Sequence, residues 1–146
     1  MIDLFDIVKG NNATQSGTKK TYPYVSSSST NNGISDYRES NEYHPKGLLT
    51  VSANGACMDT FYQPKDFISC GDVNVLYSKS DSFNKYNAMF FIPVLELEKF
   101  RFGYGRKSNL ERIKQLTIKL PATPEGEPDY QFMEDYMKTL PYSKYI

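Results

Sequence analysis

The sequence of 146 residues predicts one mixed α/β domain, a short-stranded, largely antiparallel twisted sheet with a few packed helices. Three observations predict it. Between positions 48 and 77, short apolar and β-branched runs alternate with Asn, Gly and Asp turns, the pattern of a meander. Residues 86–99 and 130–139 form longer segments of helical character. The hydrophobic content of 39% and charge of 23% are globular values, and a chain this long buries roughly two-thirds of its unfolded surface.

In chain order, Leu4-Phe-Asp-Ile-Val8 is a short apolar start, and residues 9–20 lack periodicity and hold many turn formers, so they read as a mobile loop. Tyr22-Pro-Tyr-Val-Ser26 reads as a strand with its proline at an edge or entry position. The polar row after it, Ser27-Ser-Ser-Thr-Asn-Asn-Gly33, cannot belong to a core. It is either a solvated loop or a row of short donors and acceptors for phosphates and base edges. Leu48-Leu-Thr-Val-Ser52 and Cys57-Met-Asp-Thr-Phe-Tyr62 flank Asn54-Gly55, a hairpin signal. Phe67-Ile68 and Val73-Asn-Val-Leu-Tyr77 continue the sheet across the Gly71-Asp72 turn.

A polar linker leads to the helix at 86–99, where Pro93 removes an amide and clashes one turn back, so it should kink or split the helix. Leu116-Thr-Ile-Lys-Leu120 alternates like a strand that Pro121 ends, and Pro124-Glu-Gly-Glu-Pro128 reads as a turn. Asp129 is placed to cap a final helix with Phe132, Met133, Tyr136 and Met137 on one face. That face could pack on its own sheet or on a partner.

The chain is formally neutral, yet its charge is unevenly spread. Residues 99–119 hold seven bases (Lys99, Arg101, Arg106, Lys107, Arg112, Lys114, Lys119) and one acid, Glu111, for a net +6. From Leu120 onward five acids face two bases, net −3. Neutrality therefore does not exclude a polyanion partner. Within the basic segment Gly103 and Gly105 flank Tyr104, so that an aromatic ring and the Arg106-Lys107 pair can project from a turn. Ser108-Asn-Leu-Glu111 reads as a capping box opening a short helix, whose amide-rich end beside two cations suits a phosphate. The plainer alternative is a glycine turn on a solvated basic face.

Several chemistries lack their residues. There is no Pro-Pro for an adenine methyltransferase motif and no acid followed two residues later by Lys for a metal-dependent nuclease. Arg101-Phe-Gly-Tyr-Gly105 misses the Phe-x-Gly-x-Gly cofactor loop, because Arg101 stands where its Phe should be and no strand-loop-helix pattern surrounds it. His44 is the single histidine, reads as a surface-loop residue, and has no identifiable nucleophile partner. Cys57 and Cys70, 13 positions apart, suggest neither a disulfide framework nor zinc; two buried reduced thiols are expected. No apolar run reaches membrane-spanning length and Met1-Ile-Asp-Leu-Phe-Asp6 lacks a signal-peptide pattern, so the chain reads as cytoplasmic. No catalytic, metal or cofactor site is read. The 12 Tyr and 9 Phe, with no Trp, favour a binding surface weakly.

Three stretches carry a family resemblance: residues 22–34, Gly47-Leu-Leu-Thr-Val-Ser-Ala-Asn-Gly55, and above all Phe102-Gly-Tyr-Gly-Arg-Lys-Ser-Asn-Leu-Glu-Arg112 followed by Leu116-Thr-Ile-Lys-Leu-Pro121. With the ending at 130–143, their order resembles a target recognition domain of restriction-modification specificity subunits, type I or BcgI-like type IIB. The resemblance implies a non-catalytic domain that reads half of a bipartite site on double-stranded DNA. It also implies an adenine methyltransferase subunit and a restriction subunit as partners, with a second recognition domain or a homodimer completing the site. On that reading Arg106 addresses guanine bidentately and Lys107 and Ser108 hold phosphate, with Tyr104 on the same turn. Ser27, Ser28, Ser29, Asn31, Asn32 and Asn54 form the opposing loops. A tyrosine-rich module for a protein or carbohydrate partner is the alternative.

Overall fold

The computed structural model describes residues 1–10 and 20–146. The loop expected at 9–20 thus lies, over positions 11–19, outside the described residues. The strands are β1 (Phe5–Lys9), β2 (Lys20–Val25), β3 (Ile34–Ser40), β4 (Leu48–Ser52), β5 (Thr60–Gln63), β6 (Ile68–Ser69) and β7 (Val73–Ser78). The helices are α1 (Lys85–Glu96), α2 (Leu110–Gln115) and α3 (Tyr130–Thr139).

The strands do not make one meander. A four-stranded antiparallel sheet has the order β1-β7-β4-β5, and a three-stranded sheet has the order β3-β2-β6. β6 leaves the meander because its two residues pair in parallel with Tyr24 and Val25, partners more than forty positions earlier that no local signal announces. β3 goes unannounced in the sequence for a related reason. Its residues ISDYRES are exposed except the first and last, so an edge strand with no apolar face reads as a polar loop. It is held by pairing with β2 and by the Arg38 guanidinium 3.8 Å over the Tyr24 ring.

Alternation sends each strand's side chains to two cores. Phe5, Ile7, Leu49, Val51 and Leu76 meet Ala88, Phe91 and Leu95 of α1, Ile113 of α2 and Met133 of α3. Leu48, Val73 and Val75 point the other way, onto Val25 and Phe67 beside the second sheet. The four-stranded sheet is therefore covered by helices on one face and by the smaller sheet on the other. Phe5 packs edge-on against Phe91 at 5.3 Å and Phe83 at 5.7 Å, each pair adding about 0.5–1.5 kcal/mol beyond the area it buries.

The helix starts are set by their caps, whereas the course and packing of α1 and α3 differ in part from the sequence expectation. Asn84 accepts from the amides of Tyr86 and Asn87, and α1 runs unsplit through Pro93 to a 3-10 turn at Leu97–Arg101. Pro93 is exposed while Phe91 and Leu95 are buried, so core packing holds the helix across the missing hydrogen bond. Asp129 caps α3 as expected, accepting from the Phe132 amide at 2.9 Å. Of the face expected to pack, only Met133 is buried; Phe132 and Tyr136 are about half exposed and stack on each other. α3 is fixed to α1 instead by Asn87 Nδ2 donating to Tyr130 O at 2.8 Å and Asn84 Nδ2 to Glu134 Oε2 at 2.7 Å.

The strand expected at 116–120 does not form a ladder. Its backbone leaves α2 extended, but Ile118 and Leu120 turn into the helical core and Leu116 O takes the Met1 ammonium at 2.7 Å. Its alternation is used for packing rather than pairing.

Candidate nucleic-acid interface

β4 ends at Ser52, β5 begins at Thr60 and β7 begins at Val73, so the connections 53–59 and 70–72 emerge at one end of the main sheet. Two further loops are tied to that end. Ser27 Oγ donates to Asp72 O at 2.9 Å, the same carbonyl that accepts the Ala53 amide at 2.8 Å. Ser108 Oγ donates to Ser52 O at 2.7 Å, and Asn74 Nδ2 donates to Ser108 O at 2.9 Å. Two loops that stand far apart in the sequence thus share one rim with the 53–59 hairpin connection. That connection is seven residues long rather than the short turn around Asn54-Gly55 that the sequence suggests, and β5 starts three residues later than the run beginning at Cys57.

The basic turn precedes the anchored Ser108 and flanks α2. Reciprocal backbone bonds between Gly103 and Arg106 leave Tyr104 and Gly105 at the tip, with the Tyr104 side chain fully exposed. Neither glycine adopts a positive φ, so the turn does not depend on glycine's conformational freedom as the sequence suggested.

The seven cations divide into two groups. Lys99 pairs with Asp59 and, at 3.8 Å, with Glu96, and Arg101 pairs with Glu98. The Asp59 carboxylate beside it raises the Lys99 pKa. Among the described residues Arg106, Lys107, Arg112, Lys114 and Lys119 have no acidic partner. Arg106 lies 5.9 Å over the Phe102 ring, and Arg112 Nη1 donates to Lys107 O at 2.9 Å, bracing the turn from α2. The pairing removes two charges from the cluster and concentrates the rest on the turn, on α2 and on the segment after it.

Ser108 is not on that surface. It is fully buried, and the residue that caps α2 is Asn109, whose side chain accepts from the Arg112 amide at 3.0 Å. The cap therefore lies one residue later than expected, and it is a single Asn109 bond rather than a reciprocal box. Asn caps as well as Ser, and the buried Ser52 carbonyl and Asn74 amide draw Ser108 inward. A buried serine of this kind cannot reach a phosphate.

The polar row is internally bonded over most of its length. Ser28 Oγ accepts from the Thr30 amide at 3.3 Å, and Asn31 Nδ2 donates to Ile34 O at 3.0 Å. Asn31 and Asn32 take left-handed φ of 52° and 56°, angles asparagine tolerates. Asn32 Nδ2 donates to Tyr62 O and Gln63 Oε1, and Gln63 Nε2 returns a bond to Asn32 O. That network lies at the far end of β5 from the rim, so Asn32 fastens the loop rather than facing a ligand. Ser29 is exposed, and Asn54 is half-buried with Oδ1 accepting from the Gly55 amide at 2.9 Å. The structure thus brings Ser27, Asn54 and, through the Ser108 anchor, Lys107 to one end, and sets Tyr104 and Arg106 on the turn that flanks α2. It leaves Ser28 and Ser29 in the loop with Asn31 beside the fastened Asn32, and directs Asn32 and Ser108 into the protein.

Other titratable groups lie elsewhere. His44 is half-buried rather than a loose surface residue, stacking on Phe67 at 5.2 Å with Nδ1 2.7 Å from Tyr77 Oη, and burial lowers its pKa. Cys57 and Cys70 are free and half-buried, less enclosed than expected. Among the described residues no group of His, Cys, Asp and Glu could hold a metal, and no helix is long and apolar enough to cross a membrane.

Residues 2–144 match the type I restriction modification DNA specificity domain. The type II restriction enzyme BgcI specificity subunit S.BcgI of Heyndrickxia coagulans is 34% identical over 142 residues, a span covering 96% of this chain and 42% of that subunit. The crystal structure of a type I restriction-modification system S subunit from M. genitalium superposes with a TM-score of 0.62 at 13% identity, over 90% of this chain and 34% of that one. The chain thus spans less than half the length of either relative.

Proposed function

The chain belongs to the type I restriction modification DNA specificity domain family, and from that premise we propose that residues 1–146 act as one recognition domain reading half of a bipartite duplex site. The observation that carries this reading is the rim itself. Loops tied to one sheet end offer a fully exposed Tyr104, unpaired Arg106 and Lys107, and short polar groups at Ser27, Ser29 and Asn54. Cations and small donors fix a backbone, and variable loop tips read base edges.

The family is generally one of specificity components rather than catalysts, and this chain is proposed to have no turnover of its own. A separate adenine methyltransferase subunit and a restriction subunit would supply the chemistry in the cytoplasm, with a second recognition domain or second copy reading the other half-site. Non-specific DNA affinity is typically only ~10⁻⁴ to 10⁻⁶ M at physiological salt, so tight discrimination should emerge only with such a partner.

Fluorescence anisotropy on a panel of duplexes, repeated at rising salt, tests the reading. Log affinity should fall linearly with log salt, by roughly 0.9 per phosphate neutralised, and the methyltransferase subunit should sharpen preference for one sequence. Affinity indifferent to salt would favour a tyrosine-lined sugar or protein site instead. Methylation or cleavage by the purified chain alone would refute the non-catalytic role.

A further inference from the structure

We infer that a cleft of about 300 Å³ between the basic turn and α2 is a phosphate clamp formed by Arg101, Arg106 and Arg112. Three of the chain's four arginines line this one depression, and no acid lines it. Glu98 engages Arg101 through Nε, leaving the outer Nη groups of that guanidinium for a ligand. Arg112 spends Nη1 on Lys107 O and keeps its remaining donors, while Arg106 sits over Phe102 with no acid beside it. Gln115 and Thr117, also on the wall, add neutral donors.

The ligand class is set by the donors. A guanine edge takes one guanidinium fork, whereas a phosphate oxygen cluster accepts from several at once and is held bidentately by each. Convergent arginines with two uncompensated charges therefore suit a phosphate. Resting on the DNA-binding reading, the source is a backbone phosphodiester, and Arg106 becomes a sequence-neutral anchor rather than a base reader. Base reading then falls to the tips around Tyr104, Ser29 and Asn54.

The test reads the arginine Nε–Hε resonances of the folded chain, one for each arginine, while inorganic phosphate is added at low salt against a chloride control of equal ionic strength. The Arg101, Arg106 and Arg112 signals should shift along one saturating curve and Arg38, paired with Asp36 on the second sheet, should not. Arg112→Gln should weaken phosphate binding at least about tenfold, as expected for a lost charge-assisted bond, with Arg112→Lys intermediate and the melting temperature confirming that each variant folds. Shifts no larger than those of Arg38, or equal with chloride, overturn the clamp.

On duplex DNA, Arg106→Gln and Arg112→Gln should each lower the salt slope by about one and weaken every sequence by the same factor. A loss confined to one sequence would place these residues on base edges and overturn the proposal. If phosphate saturates the three signals while duplexes bind without salt dependence, the clamp stands for free phosphate and it is the DNA-binding reading that falls.

Discussion

Replacing Ser108 by alanine separates two accounts of the basic loop. In a capping box, Ser108 and Glu111 would work together at the start of α2 and Asn109 would be silent. In the structure Ser108 Oγ is a buried strut to Ser52 O, Asn109 is the cap, and Glu111 is exposed with no ion-pair partner among the described residues. The Ser52 carbonyl also accepts the Met58 amide at 2.9 Å, so removing the hydroxyl does not orphan it. The loss should therefore be the net value of one hydrogen bond, about 1 kcal/mol. For a domain of this size that lowers the melting temperature by about 3 °C. Asn109→Ala should cost a similar ~1 kcal/mol through the lost cap, and Glu111→Ala should stay within about 0.5 kcal/mol. Urea unfolding of the three variants, with unchanged m-values, measures these differences, and the salt slope of DNA binding for Ser108→Ala should equal that of the parent. An unchanged stability with a reduced slope would show Ser108 on phosphate and refute the reasoning.

His44 makes stability pH-dependent. Burial lowers its folded pKa below the ordinary histidine value of 6.5, so the unfolded chain binds its proton first and stability falls as pH drops through and below that value. Unfolding free energies between about pH 7 and 5 should decline more steeply in the parent than in His44→Gln, and parallel curves would contradict this. Glycine positions should divide sharply. Gly33→Ala, with φ of +76° and a new Cβ 3.2 Å from Phe61 and Val25, should destabilise by more than about 1 kcal/mol. Gly103→Ala and Gly105→Ala, at ordinary φ in open space, should be tolerated in thermal melts. Tyr104→Ala, which loses no packing, should leave the melting temperature unchanged yet alter preference among duplexes; an equal effect on all of them would remove Tyr104 from base reading.

Much of this protein was legible in the chain because local physics decided it. The runs at β4 and β7 are apolar and β-branched enough to mark both as strands, although both of their faces are buried and the runs do not say which one meets the helices. Asp129 with its following turn announces α3, and Pro124–Pro128 with Gly126 at φ +83° announces the bend before it. The concentration of cations at 99–119 is likewise a property of sequence alone. The family resemblance, carried by residues 102–121 above all, belongs to the same level, since it depends on the order of residues and not on their contacts.

What only the tertiary structure decided are the relations between distant segments. Sequence places β6 beside β7, but the main-chain groups of Tyr24 and Val25 claim it for another sheet, and backbone hydrogen bonding carries no residue code. Ser108 looks like a cap until Ser52 and Asn74, more than thirty positions away, supply the buried partners that pull it inward. The net charge of +6 is a sum over residues, but Asp59, from a distant loop, reaches Lys99 across space, while Glu96 and Glu98 make only local i,i+3 pairs with Lys99 and Arg101. A charge is written in the sequence. Its field at a surface depends on the distance to its neighbours, which only folding fixes.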